Sequence, residues 1–197
     1  MQRMNENYRG YSIIAAEVKG TPSAQIFSGK RPIGKRFEGD NVEQVLAKAK
    51  GWIDDKMIAD NSKQRAPHIA TVERYLEFLN VENLGDHEIA MLKAHTAARV
   101  LTATELANAA GWDSFSSANA HYGFLGRKAA SFLGLELPKH SDGSPAFTFA
   151  LAESAGEGGL PETGNFQWAI HPELAKAVVS AGILNSEPAW LAIERTN

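Results

Sequence analysis

The chain contains no cysteine among its 197 residues. This absence excludes disulfides, a thiolate nucleophile and the cysteine-ligated zinc sites that stabilise many small domains. The chain also lacks an apolar run near the roughly 18 residues that a membrane-spanning helix needs, and it lacks a charged-then-apolar leader. From these absences we expect a cytoplasmic protein that has no membrane partner.

Catalytic and metal-binding patterns are missing as well. His87 and His95 lie eight positions apart, two helical turns, whereas a zinc-protease helix places its two histidines four apart. The glycine-rich stretch 156–164 lacks the lysine and the following helix of a phosphate-binding loop, and no serine sits in a nucleophile elbow. We therefore predict that the protein is not an enzyme and has no metal site and no cofactor.

The formal net charge of −3 conceals an uneven distribution along the chain. Residues 1–65 contain 12 Lys/Arg against 8 Asp/Glu, whereas residues 66–197 contain 8 Lys/Arg against 15 Asp/Glu, a balance of −7. A polyanionic partner such as DNA is favoured by the first part and discouraged by the second. The change of charge at a polar segment ending in proline predicts two domains, 1–60 and 68–197, joined by a linker at 61–67.

The first predicted domain is a small sheet followed by a helix. After a polar, frayed start at Met1–Asn7, short β-type runs separated by Gly/Pro turns predict a three-stranded antiparallel meander, with strands at 11–18, 23–27 and 33–37. Apolar residues at helical spacing then predict an amphipathic helix over 41–59, which can cover one face of the sheet.

A basic cluster brackets the second turn of this sheet and consists of Lys30, Arg31, Lys35 and Arg36. In one interpretation these side chains keep a small sheet soluble and protect its edges from aggregation. In the other they form a basic hairpin that lies against DNA phosphates. The order of three strands and a helix is similar, in topology alone, to the arm-binding domains of phage integrases.

The second predicted domain is mainly helical, with helices at about 68–80 and 87–98. Thr102 and Glu105 form a capping box that starts a short helix over 103–110, and Gly111 ends it. A longer helix, capped by Ser114 or Ser116, then runs to about 133. This layout is typical of a helix-turn-helix.

The sequence after the long helix predicts a β-hairpin, which in this position would be the wing of a winged helix. β-type runs at 146–152 and 166–170 predict a hairpin whose long tip is acidic, and a helix over 172–181 follows. Residues 183–193 should pack back on the body or pair as an edge strand. The tip would repel phosphates because it carries Glu153, Glu157 and Glu162. The chain as a whole is predicted to be α+β, with a winged-helix-like second domain.

The long helix over 114–133 has two interpretations. It can read DNA, with contacts to bases or phosphates near its start and to the phosphate backbone further along. The residues assigned to these contacts are Ser116, Ser117, Asn119 and His121, followed by Arg127 and Lys128. In the alternative, the helix belongs to a tightly packed helical hairpin in which Ala120, Gly123 and Gly126 allow a neighbouring helix to come close.

Three runs in this domain resemble a helical module of known proteins. LTATELANAAGW, SSANAHYGFLGRKAASFLG and FQWAIHPELAKAVVSAG are similar to a module found upstream of the nuclease domain in bacterial HNH endonucleases of modification-dependent restriction type. The resemblance covers about residues 86–184. Because the chain has no HNH nuclease domain and no cysteine, the resemblance implies the recognition or scaffold part and not the cutting part.

These patterns together predict a non-catalytic DNA-binding protein of a bacterial or phage defence, restriction or mobile-element system. The alternative is an acidic protein-binding inhibitor or adaptor that acts on a defence or nucleic-acid-processing complex, such as one containing a nuclease. The net charge of −7 beyond residue 65 favours this alternative, since an acidic surface can dock on a basic partner.

Overall fold

The computed structural model describes residues 3–18, 20–156 and 166–193. The chain divides into two compact units: unit 1 contains residues 1–63 and 131–134, and unit 2 contains residues 64–130 and 135–197. Both helices and antiparallel sheets occur, so the predicted α+β class is correct at this level. Within the described residues, no helix is long and apolar enough to cross a membrane.

Unit 1 contains an antiparallel sheet with the strand order β1-β2-β3-β4. Its strands are β1 (Arg3–Tyr8), β2 (Tyr11–Val18), β3 (Thr21–Ser28) and β4 (Arg31–Glu38). The prediction of three strands after a frayed start is wrong, because Arg3–Tyr8 pairs with β2 over its whole length. Most side chains of β1 are exposed, so this strand has no apolar alternation that the sequence could reveal.

The pairing of β3 with β4 is irregular beside Gln25. Gly34 adopts a left-handed φ of 64° in this irregular stretch, a conformation that glycine accepts without strain. The Gln25 side chain donates a hydrogen bond from Nε2 to the Ile33 carbonyl oxygen at 2.9 Å. This irregular stretch lies in the middle of β4 and includes Lys35 and Arg36.

Helix α1 (Val42–Asn61) covers the inner face of this sheet. Asn41 caps it by accepting a hydrogen bond from the Gln44 backbone N–H at 2.8 Å, as its short amide side chain allows. The predicted helix over 41–59 is thus confirmed. Its buried residues alternate at helical spacing and pack on the buried side chains of β2 and β3; they are Val42, Val45, Leu46, Ala49, Ile53 and Met57.

Unit 2 contains most of the helices and a second sheet. Its elements, in chain order, are α2 (Val72–Val81), α3 (Asp86–Ala98), β5 (Val100–Thr102), α4 (Ala103–Ala109), α5 (Phe115–Leu133), a 3-10 helix (Phe147–Ala150), β6 (Ala152–Ser154), β7 (Gln167–Ile170), α6 (Pro172–Ser180) and α7 (Ala189–Ile193). The last residues of α5 belong to unit 1. Antiparallel pairing gives the second sheet the order β5-β7-β6.

Three predicted or unpredicted segments of this unit need comment. The run 146–152 is largely the 3-10 helix, and only Ala152 begins strand β6. Strand β5 was not predicted, because three residues between two helices are too few for a visible alternation. Of the two alternatives for residues 183–193, packing back on the body is correct and the edge strand is wrong, because these residues end in helix α7, whose Leu191 is fully buried.

Candidate nucleic-acid interface

The helix pair α4–α5 forms as its sequence predicts. Thr102 Oγ1 accepts a hydrogen bond from the Glu105 N–H at 3.2 Å, and the Glu105 carboxylate accepts one from the Thr102 N–H at 2.7 Å. These reciprocal bonds satisfy donors at the start of α4 that have no partner inside the helix. Gly111, with a φ of 75°, then turns the chain towards α5, where Ser114 Oγ accepts from the Ser116 N–H at 3.3 Å.

One side of α5 is buried and the other faces solvent. The buried side carries Ala118, Tyr122, Leu125 and Ala129, which fixes the rotation of the helix about its axis. Among the predicted DNA-binding residues, Ser117 and Lys128 are half-buried, whereas Ser116, Asn119, His121 and Arg127 are exposed. The exposed face of α5 also includes Ala120 and two large aromatic residues, Phe115 and Phe124, which are 60% and 56% exposed.

His121 is part of a stack of rings at the start of α5. Its imidazole lies over Trp112 with ring centroids 4.6 Å apart, and Trp112 lies over His87 at 4.7 Å. His87 Nδ1 is 2.8 Å from the Ala110 carbonyl oxygen, which ties the stack to the end of α4. One face of the His121 ring therefore packs against Trp112, and these ring contacts join the turn between α4 and α5 to His87 of α3.

The positive charge of Lys128 is already paired with carboxylates within unit 2. Its Nζ lies 3.2 Å from a Glu82 carboxylate oxygen and 3.1 Å from one of Glu88. Partial burial lowers the pKa of Lys128, but the hydrogen bonds to Glu88 and Glu82 outweigh it, so the pKa is raised. A cation held between two carboxylates has little attraction left for a phosphate. The structure therefore leaves Arg127 as the stronger candidate for a phosphate contact on this helix.

Arg127 and Gly126 place the 3-10 helix against α5. The Arg127 guanidinium lies over the Phe147 ring, 4.5 Å from its centroid. A Cβ atom at Gly126 would clash with the Phe147 carbonyl oxygen, so only glycine allows this close approach. Gly123, one turn earlier, has no atom within 4 Å of the corresponding position and faces open space. The predicted close approach at Gly126 is thus made by a 3-10 helix and not by the expected neighbouring helix.

The open space beside Gly123 is a cavity of about 560 Å³ in unit 2. Its walls come from the start of α4, one face of α5, the segment before the 3-10 helix, and β7. Four aromatic side chains line it: Phe115, Phe147, Phe166 and Trp168. The sequence gives no sign of this site, because these aromatics lie far apart in the chain and only the packing of α5, the 3-10 helix and the segment 166–168 brings them together.

The basic cluster of unit 1 lies at the β3–β4 turn and along β4. Lys30, Arg31, Lys35 and Arg36 are all exposed, and Lys30 precedes the strand in the turn itself. The Arg36 Nη2 atom donates a hydrogen bond to Ser23 Oγ at 2.6 Å, across the sheet from β4 to β3. This bond holds Arg36 on the face of the sheet that α1 does not cover.

The predicted acidic tip is only partly described. Glu153 lies in strand β6, half-buried, with a carboxylate oxygen 3.9 Å from the Arg65 guanidinium. It is therefore a strand residue beside a cation, and not part of an exposed tip. Glu157 and Glu162 lie outside the described residues.

Comparison with protein-family models gave no match, and comparisons with curated proteins and with solved structures gave no significant similarity. Among the described residues, no group of three or more His, Asp or Glu side chains is arranged to hold a metal ion.

Proposed function

We propose that this protein binds DNA, without catalysing a reaction on it, in a bacterial or phage defence, restriction or mobile-element system. The observation that carries the proposal is the order of elements in unit 2: α3, β5, α4, α5, the 3-10 helix, β6 and β7, with the sheet order β5-β7-β6. A winged helix has its helices and strands in the same order, and we assign α4–α5 as the helix-turn-helix and β6–β7 as the wing.

Helix α5 takes the place of the recognition helix. In helix-turn-helix proteins the first residues of that helix meet base edges, and here they present Ser116 and Asn119 to solvent. An Asn amide can pair with adenine through both its donor and its acceptor, and a serine hydroxyl can contact a base or a phosphate. Further along the helix, the exposed Arg127 can contact the phosphate backbone.

The basic cluster of unit 1 supports the same function. Its four exposed cations can supply affinity that does not depend on sequence and that weakens as salt is added. The setting in restriction or defence rests on the resemblance of the α4–α5 region to the module upstream of HNH nuclease domains.

Fluorescence anisotropy with labelled random-sequence duplexes tests this proposal. We expect binding at about 50 mM salt that weakens steeply as salt increases. Arg127→Glu should reduce the affinity, whereas Lys93→Glu, the same charge change at an exposed position on α3, should leave it nearly unchanged. Absence of binding by the wild-type protein at low salt would overturn the proposal.

The second candidate is an inhibitor or adaptor that docks on a basic protein. The excess of 15 Asp/Glu over 8 Lys/Arg in residues 66–197 favours it, as does the neutralisation of Lys128 by two carboxylates. Such a protein would fail to bind DNA at low salt but would compete with DNA for a basic partner. The anisotropy experiment therefore separates the two candidates.

A further inference from the structure

The aromatic walls of the cavity beside α5 suit the binding of a flat ring. Phe166 and Trp168 lie side by side on one wall, with ring centroids 4.4 Å apart and planes tilted by 56°. Phe115 and Phe147 contribute aromatic surface from α5 and from the 3-10 helix. Phe115 is 60% exposed and Phe166 is 37% exposed, so large apolar surfaces face solvent at the cavity. Such surfaces gain free energy when a planar ring stacks on them.

The polar side chains that line the cavity suit the edge of a heterocycle. Asn119 lines the cavity from α5, and Thr104 and His140 line it from other segments. All three side chains are exposed, so no neighbouring residue shields them from an incoming ring. An amide offers both a donor and an acceptor, and a hydroxyl can act as either, which is what a nucleobase edge requires. Among the described residues, no Asp, Glu, Lys or Arg lines the cavity.

The Arg127 guanidinium lies next to the cavity, on a ring that forms part of its wall. The Arg127 guanidinium sits over Phe147, whose ring is itself part of the wall. An aromatic cavity with a cation at its margin matches the two parts of a nucleotide, a flat base and an anionic phosphate. The size is suitable too, since small-molecule sites commonly enclose about 300–1,000 Å³.

We infer that this cavity binds a nucleobase that has left the stack of bound DNA, at an unpaired, mismatched or single-stranded position. This inference rests on the proposed function, because DNA bound along α5 would bring such a base to Asn119 and Gly123. The base stacks on the aromatic walls, its edge meets Asn119, and Arg127 holds the adjoining phosphate. Bases that are already unpaired enter most readily, since extrusion of a paired base costs stacking and pairing energy.

Gly123 provides a specific way to fill the cavity. No atom lies within 4 Å of a Cβ built at this position, so a leucine side chain would extend into the cavity without a clash at its root. Gly51 in α1 is the matched control, because it is also a helical glycine with no atom within 4 Å of its Cβ position. Gly51→Leu introduces the same side chain in unit 1, and Gly51 is not among the residues that line the cavity.

The test compares three labelled probes with the full-length protein: a paired duplex, the same duplex with one mismatch, and single-stranded DNA. We expect wild type and Gly51→Leu to prefer the mismatched and single-stranded probes by about tenfold, the effect of stacking one base on an aromatic side chain. Gly123→Leu should lose this preference and bind the paired, mismatched and single-stranded probes with similar affinity. If Gly123→Leu does not fold, Phe115→Ala replaces it, since this exposed residue lines the same wall.

The outcomes separate this inference from the proposed function. Equal affinity of the wild type for paired and unpaired probes would overturn the inference and leave DNA binding intact. Absence of binding to every DNA probe at low salt would overturn both. A fourth probe, free deoxyadenosine monophosphate, distinguishes the source of the ring. Tight binding of this nucleotide that Gly123→Leu abolishes, without any preference for unpaired DNA, would overturn the assignment to a DNA base.

Discussion

The Tyr122 hydroxyl donates a hydrogen bond to His95 Nδ1 at 2.8 Å, and both side chains are fully buried. The other ring nitrogen, His95 Nε2, donates to the Trp168 carbonyl oxygen at 2.8 Å. One neutral imidazole thus joins α3, α5 and β7 in the centre of unit 2. This link positions β7, and with it the Trp168 wall of the cavity, relative to the proposed recognition helix.

Acid should destabilise unit 2 through His95. Burial lowers the pKa of His95 from 6.5 to about 4, because the charged form would lose its hydration, although the bond to Trp168 opposes this effect. The unfolded chain therefore takes up a proton at a higher pH than the folded one. The stabilisation is complete above pH 6.5 and is lost as the pH falls from 6.5 towards 4, by up to about 3 kcal/mol. Urea unfolding monitored between pH 8 and pH 4 measures it.

Tyr122→Phe tests the same link at neutral pH. The substitution keeps the ring but leaves the buried His95 Nδ1 without its donor, so we expect a loss of about 1–2 kcal/mol in the free energy of unfolding. Tyr8→Phe is a matched control, since the Tyr8 hydroxyl is only partly buried where it meets Asp54. Equal stability of wild type and Tyr122→Phe would contradict the assigned hydrogen bond.

Substitution of three helical glycines by alanine should stabilise the protein at two positions and destabilise it at the third. Gly51→Ala and Gly123→Ala should each raise the free energy of unfolding by about 0.5–1 kcal/mol, because alanine is the better helix former and no atom lies within 4 Å. Gly126→Ala should lower it, by about 1–3 kcal/mol, because the new methyl group meets the Phe147 carbonyl oxygen. Chemical denaturation of the three variants checks the order. A stabilising Gly126→Ala would show that the 3-10 helix does not pack here.

Adjacent cations on α5 should contribute unequally to DNA binding. Arg127→Met should weaken binding and reduce the slope of log affinity against log salt by about 0.9, the loss of one phosphate contact. Lys128→Met should change the DNA affinity little, because Glu82 and Glu88 already neutralise this lysine. Its effect should instead appear as a small loss of stability. Equal changes in the salt slope for both variants would show that Lys128 leaves its carboxylates to reach DNA.

The basic cluster should behave as a source of sequence-independent affinity. Replacement of Lys30 and Arg31 by glutamine should weaken binding to all duplexes by a similar factor and reduce the salt slope by about 2. Lys63→Gln together with Lys48→Gln removes the same charge from unit 1 outside the cluster and serves as the control. Affinity that changes for some sequences and not for others would contradict this role.

The sequence alone determined the local structure around α4 and α5. The capping box of Thr102 and Glu105 and the left-handed glycine at 111 are short-range devices, and the structure reproduces both. Helix α1 was equally visible, since its apolar residues recur at helical spacing and Asn41 precedes them. Each of these features depends on atoms only a few positions apart, so a pattern of residue types is sufficient to identify it.

Tertiary structure decided strands β1 and β5 and the cavity. Strand β1 is polar and mostly exposed, and strand β5 has three residues, so neither carries an apolar alternation; their pairing partners alone make them strands. The pairing of β7 with β5 brings Trp168 opposite Leu101. The cavity then forms because Gly126 lets the 3-10 helix approach α5 while Gly123 leaves space beside it. Long-range contacts of this kind depend on how elements pack, which the spacing of residues along one element does not encode.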